Sequence, residues 1–141
     1  MYRLTAMMPH EREITVIDPE RETERFQSLA RGRESLPEGG ARCFDCYRLR
    51  LEKTARYMAE HPGKYDYFAT TLTVSPHKNA EKLNEIGYEL AEKYGVRYLP
   101  SDFKKRNGYK RSIELSREYS LYRQDFCGCE FSRRLRHPDA D

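Results

Sequence analysis

The run EITVID at residues 13–18 is β-branched from Ile14 to Ile17 and reads as a buried strand. Asp18-Pro19 stops it and opens a helix, PERETERFQSLARG, with Pro19 at an early helical position and Gly32 at the end. RESLPEGGAR, residues 33–42, is a loop marked by Pro37 and Gly39-Gly40. A second helix, CFDCYRLRLEKTARYMAEH, sets Leu51, Ala55 and Met58 on one stripe. YDYFATTLTV, residues 65–74, predicts the next strand. SPHKNAEKLNEIGYELAEKYG carries the strongest helical pattern, with Ala80, Leu83, Ile86, Gly87, Leu90, Ala91 and Tyr94 on one face and Gly95 to end it. VRYLPS, residues 96–101, is a third strand, DFKKRNG a loop, and YKRSIELSREYSL a last helix.

Strands alternating with helices imply a parallel sheet covered by helices. The expected domain runs over residues 1–132, with a charged, disordered tail at 133–141. Three strands are few for such a sheet.

Composition narrows the picture. The chain has 141 residues, 38% hydrophobic and 35% charged, which suits one domain with a small core and a heavily charged surface. The net charge of +3 permits nucleic-acid binding without requiring it, so clustering must decide. No apolar run approaches the roughly 18–20 residues that span a bilayer. MYRLTAMMPHERE lacks the apolar stretch of a signal peptide, and a cytoplasmic location is expected.

There, four cysteines in two close pairs point to metal binding or redox chemistry. Cys43 and Cys46 form a CxxC at the expected start of a helix, where free N–H groups favour thiolates. Cys127 and Cys129 form a late CxC. Loops at the carboxyl ends of parallel strands gather on one edge, so the two pairs are expected to converge. A structural four-cysteine zinc site and an iron–sulfur site fit these residues, while a redox-active dithiol using the CxxC alone leaves the CxC unexplained. Spacing alone does not separate zinc from iron.

Two polar clusters accompany them. Thr70, Thr71, Thr73, Ser75, His77, Lys78 and Asn79 sit at a strand-to-helix junction, a common anion or substrate site, although Ser75 capping a helix beside a solvated His77 is the plainer reading. Lys104, Lys105, Arg106, Lys110 and Arg111 surround Asn107-Gly108 with Phe103 and Tyr109 between them. Basic residues suit phosphates and aromatics suit base stacking. Asp102, at the strand end, is a candidate oxygen ligand to a metal.

CFDCYRLRLEKTA, YFATTLTVSPHKNAEKLNEIG and YLPSDFKKRNGYKRSIELSREYSLYRQDFCGCEFS, in that order, resemble the cobalamin-independent epoxyqueuosine reductases of the QueH family. The resemblance covers about residues 12–132. It implies an adenine-nucleotide α-hydrolase-like (HUP) α/β fold with a parallel three-layer sheet. It also implies an enzyme that reduces epoxyqueuosine to queuosine in the anticodon loop of tRNA, the last step of queuosine biosynthesis. Cys43, Cys46, Cys127 and Cys129 map onto the family's metal-ligating cysteines, so an iron–sulfur cluster of 4Fe-4S type is implied, with an additional iron as a further option. Asp102 and His77 are then the catalytic candidates. Thr73, Ser75, Asn79 and Tyr122 are expected to line the substrate site, and the basic set to hold tRNA phosphates. An electron donor that the sequence does not identify is required. The competing reading is a non-catalytic, zinc-stabilised RNA-binding module. The family's CCxPC loop is not found before Cys43, so an N-terminally incomplete sheet is expected, with low turnover until such a segment is restored.

Overall fold

The computed structural model describes residues 14–139. Among them the elements are α1 (Thr23–Ala30), α2 (Ala41–Glu60), a 3-10 turn (Leu72–Val74), α3 (Ala80–Tyr94), α4 (Gly108–Glu118) and α5 (Glu130–Arg136). The expected parallel three-layer sheet of adenine-nucleotide α-hydrolase type does not form among these residues. β-Pairing there is a single parallel bridge between Phe68 and Tyr98. Phe68 donates to the Arg97 carbonyl at 2.9 Å and accepts from the Leu99 amide at 2.9 Å.

The reason is a shortage of partners. A parallel strand must be bonded along its edges and covered on both faces. Residues 14–18 have no regular structure, and Val16 is 54% exposed. Glu13, the first residue of that expected strand, lies outside the described residues. Of the two remaining segments, one side faces the helices while Tyr67 and Leu99 point outward, Leu99 at 52% exposure. Residues 72–74 of the second segment turn into the 3-10 helix instead. A β-branched run states what would pack on a pleated surface; it does not supply the neighbouring strand.

The core is therefore made chiefly by α2 against α3. Tyr47, Leu51, Ala55 and Met58 form one stripe of α2, and Leu83, Ile86 and Leu90 the facing stripe of α3, with Phe68 and Tyr98 closing the end. These spacings of three and four residues are those of one helix face. Asn79 caps α3 by accepting from the Lys82 amide at 2.9 Å. Gly95, at φ 65°, ends it as expected, its N–H returning to the carbonyls of Ala91 and Glu92. Gly87 lets the Tyr98 ring lie on the helix: a Cβ there would stand 2.3 Å from Tyr98 Cζ. The Tyr98 hydroxyl donates to Asn84 Oδ1 at 2.8 Å, and that oxygen also accepts the Ser101 amide at 3.2 Å.

Glu52, on α2, ties three helices together. Its carboxylate accepts from Lys93 Nζ at 2.6 Å, the Tyr94 hydroxyl at 2.8 Å and Arg25 Nη2 at 3.0 Å. At the other end of the chain, α5 takes in residues 133–136 of the expected tail, anchored by buried Phe131 and Ser132.

Candidate functional site

Cys43 and Cys46 sit in the first two turns of α2. Gly40 caps that helix, and its carbonyl accepts the Cys43 and Phe44 amides at 2.9 and 3.2 Å. The preceding Gly39, at φ 88°, donates its N–H to Cys43 Sγ at 3.3 Å. The CxC is curled by similar means. Gly128, at φ 89°, turns the chain between the two thiols. Cys129 caps α5, its sulfur accepting the Ser132 amide at 3.4 Å, and Ser132 Oγ accepts the Cys127 amide at 2.9 Å.

Arg42 locks the two halves together. Its guanidinium donates to the carbonyls of Arg33 at 2.8 Å and Glu34 at 2.6 Å and lies 4.7 Å over the Phe131 ring. Phe131 also packs on Phe26, with ring centroids 6.0 Å apart. In consequence all four cysteines line one small cavity of about 10 Å³, with Phe26, Arg42, Tyr47 and Arg50 completing its wall.

The charges around this cavity are sharply divided. The Cys127 thiol is pulled down to about 5, first by a hydrogen bond from Cys129, then, against its burial, by the hydrogen bond and charge of Lys78. Lys78 Nζ donates to Cys127 Sγ at 2.8 Å and stands 3.5 Å from Glu38 Oε1. Burial alone would lower Lys78; the Cys127 hydrogen bond and charge outweigh it and raise the ammonium's affinity for its proton. Cys129 is pushed up, first by donating to Cys127. Burial pushes Cys46 up, and it pushes the Tyr47 phenol to about 12. The pair thus keeps one thiolate, on Cys127, and shares one proton.

Do these residues suit a metal group? The donor set is right: four convergent thiols with cations beside them. So is a buried Tyr47 hydroxyl in the same wall with no hydrogen-bond partner. The spacing is closed, however. No three His, Cys, Asp or Glu side chains among the described residues are disposed about one point as metal ligands. A cavity of about 10 Å³ admits roughly one water. The group fits the chemistry of the site, and loading it requires the four cysteines to rearrange.

Two larger cavities flank the thiols. One, of about 510 Å³, is reached from the Lys78 side and is lined by Ser75, His77, Lys78, Tyr109, Arg123, Phe126 and Cys127 among others. The other, of about 350 Å³, has Phe26, Cys46, Arg50 and Cys129 in its wall, with residues 19–23 across from them.

The sequence-derived candidates therefore separate into groups. The four cysteines come together, and Ser75 and His77 line the larger cavity beside Cys127. Thr73 is fully buried; its hydroxyl pairs with Ser101 Oγ at 3.0 Å and accepts the Phe103 amide at 3.2 Å, so it shapes the following turn. Asn79 serves as the cap of α3. The Asp102 carboxylate is taken by Lys104 at 3.1 Å and Lys105 at 3.7 Å, and the Lys104 hydrogen bond holds it below the usual range. Arg106 and Asn107 hold positive φ angles of 51° and 63° at the entry to α4. Lys110 is exposed, as is Arg111, which bonds Glu114 at 3.3 Å. Tyr122 is 82% exposed. The basic set thus forms an outer face, apart from the cavities, from which Tyr109 alone turns inward.

Sequence reasoning does not single out Tyr47, Arg50 or Arg123 as site residues, and it names Lys78 only as one member of a polar cluster. Tyr47 carries a signal: it lies one turn after Cys43 on the same helix face. Lys78 stands inside the polar SPHKNA cluster, but nothing local marks it as the partner of a distant thiol.

The match to known proteins decides the family. The model of the epoxyqueuosine reductase QueH family matches residues 2–135. The chain belongs to the QueH family. It is 49% identical over 109 residues to the epoxyqueuosine reductase QueH of Streptococcus pyogenes serotype M1, covering 77% of this chain and 42% of that one. Against the QueH of Staphylococcus epidermidis identity is 46% over 121 residues, 84% of this chain and 50% of the relative. Against that of Thermotoga maritima it is 37% over 121 residues, 84% and 62%. The chain spans about half the length of the curated relatives it matches. All four cysteines, and every residue lining the three cavities described above except Arg136, fall within the residues that the QueH model matches. No helix among the described residues is long and apolar enough to cross a membrane.

Proposed function

We propose that the four-cysteine cavity is the reductive centre of an epoxyqueuosine reductase acting on tRNA. The observation that carries this reading is the convergence of Cys43, Cys46, Cys127 and Cys129 on one cavity. Curated QueH relatives named for this reaction support it. Deoxygenation breaks both epoxide C–O bonds, forms a C=C bond, and releases the oxygen as water on uptake of two electrons and two protons. No side chain in this chain supplies electrons beyond a dithiol. An iron–sulfur group held by the four cysteines would supply the electrons. Its electrons come from a donor outside the chain.

The protein's own residues provide the rest. The cavity of about 510 Å³ receives the modified nucleoside, with Cys127 and Lys78 in its wall. Lys78 presents an ammonium where negative charge develops on the departing oxygen. His77 and Ser75 line the same wall and offer hydrogen-bonding groups to the polar atoms of the substrate. Tyr109, with the Arg123 guanidinium 5.8 Å over its ring, offers a stacking face for a base. Lys105, Arg106, Lys110 and Arg111 face outward, with half-buried Lys104 behind them on Asp102, where a tRNA backbone passes.

The test is conversion of epoxyqueuosine-bearing tRNA after anaerobic loading with iron and sulfide, with dithionite as reductant. The chain is assayed by itself and fused after a segment bearing the CCxPC loop. Queuosine formed in either form, and lost in Cys127→Ser, supports the assignment. Absence of queuosine in both forms overturns it.

A further inference from the structure

The Tyr47 hydroxyl is, among the described residues, the one buried side-chain oxygen or nitrogen without a hydrogen-bond partner. Its buried neighbours are satisfied: Thr73 by Ser101, Ser132 by Cys127, Arg42 by two carbonyls, Tyr98 by Asn84. Tyr47 is 2% exposed, which shuts its hydroxyl off from bulk solvent. A residue needed only to fill this space would do better as phenylalanine, because a buried unpaired hydroxyl is destabilising. The phenol is also in the wall of the thiol cavity. The groups whose charges act on it are Lys78, Cys43, Cys127 and Cys46. The unpartnered hydroxyl thus belongs to a residue that shares the wall of one cavity with all four cysteines.

We propose that Tyr47 is a positioning residue that donates its phenolic hydrogen to a sulfur of the group held by Cys43, Cys46, Cys127 and Cys129. The inference rests on the cofactor assignment above and adds a role that the cysteines do not have. A hydrogen bond to cluster or ligand sulfur stabilises the more negative, reduced state and raises the reduction potential. A sulfur-rich group held by these four cysteines would place acceptor sulfur beside an unpartnered donor. The hydroxyl thereby changes from a liability in the empty protein to a contact in the loaded one.

Tyr47→Phe separates these states by sign. The metal-free variant is expected to unfold at the same or a higher urea concentration than the metal-free wild type. After anaerobic loading with iron and sulfide, the variant should have a more negative reduction potential. It should also lose iron to a chelator about 10-fold faster, the usual scale when a hydrogen-bond partner of a metal-bound group is removed. Two results overturn the proposal in distinguishable ways. If wild type takes up no iron and sulfide, the cofactor assignment fails and this role falls with it. If wild type and Tyr47→Phe load equally and match in potential and iron release, the Tyr47 role alone fails. A metal-free variant less stable than wild type would also overturn it, because the hydroxyl would then have had a protein partner.

Discussion

Gly87→Ala tests the packing that holds α3 against the Phe68–Tyr98 bridge. Alanine raises helix propensity by about 1 kcal/mol over glycine in a helix interior. The methyl it adds would stand 2.3, 2.4 and 2.6 Å from Tyr98 Cζ, Cε1 and Cε2. Carbon contacts settle near 3.5–4.0 Å, so the ring must move by about 1 Å. It has little room: Phe68 packs at 4.9 Å and Tyr88 at 5.5 Å between centroids, and the hydroxyl is tied to Asn84 at 2.8 Å. Overpacking of this kind costs about 1–3 kcal/mol, and losing the Asn84 hydrogen bond adds about 1 kcal/mol. The clash wins over the propensity gain, and net destabilisation of about 1–3 kcal/mol is expected in urea unfolding followed by circular dichroism. In a Tyr98→Leu background the ring is gone, and the same substitution should be neutral or stabilising by up to about 1 kcal/mol. The coupling energy between the two sites is then about 1–4 kcal/mol. Equal effects of Gly87→Ala in both backgrounds would refute the reasoning.

Metal-free protein should be alkylated by iodoacetamide at Cys127 well before Cys46 at pH 6, because Cys127, near 5, is already a thiolate while burial holds Cys46 protonated; mass mapping that finds Cys46 modified first contradicts the charge pattern. Glu52→Gln should cost about 1–3 kcal/mol at pH 7. The Glu52 carboxyl is lowered chiefly by the Lys93 hydrogen bond, so this stabilisation is complete above the unfolded value of about 4.3 and is lost as pH falls through the folded one; the two proteins should converge in acid, and a difference that persists there counts against the ion-pair account. The double variant Lys104→Ala, Lys105→Ala should weaken tRNA binding and reduce the slope of log K against log salt by about one unit for each phosphate no longer neutralised. An unchanged slope would return that loop to an ordinary solvated surface.

The helices are largely legible in the sequence because their signals are local. The stripe Leu83, Ile86 and Leu90 and the terminal Gly95 state both the buried face and the end of α3. Gly40, Cys43 and Cys46 likewise mark the start of α2. The sheet is not legible in this way, because a strand is defined by its neighbours. Ile14, Val16 and Ile17 have the right side chains but remain exposed, and only Phe68 and Tyr98 find each other. The same distinction divides the site. The two cysteine pairs and the Ser75–His77 cluster show in short motifs. Lys78 on Cys127 is a contact between residues remote in sequence, and spacing cannot reveal it. Asp102 reads as a free carboxylate until the turn brings Lys104 and Lys105 onto it. The orphaned Tyr47 hydroxyl is visible only after every other buried polar group has been matched.

Metal and sulfide analysis of the anaerobically purified chain tests the central claim most directly. The account predicts brown protein containing iron and inorganic sulfide, with both lost in Cys43→Ser and in Cys127→Ser, one variant from each pair. Colourless protein carrying zinc, or iron and sulfide content unaffected by either substitution, would contradict it.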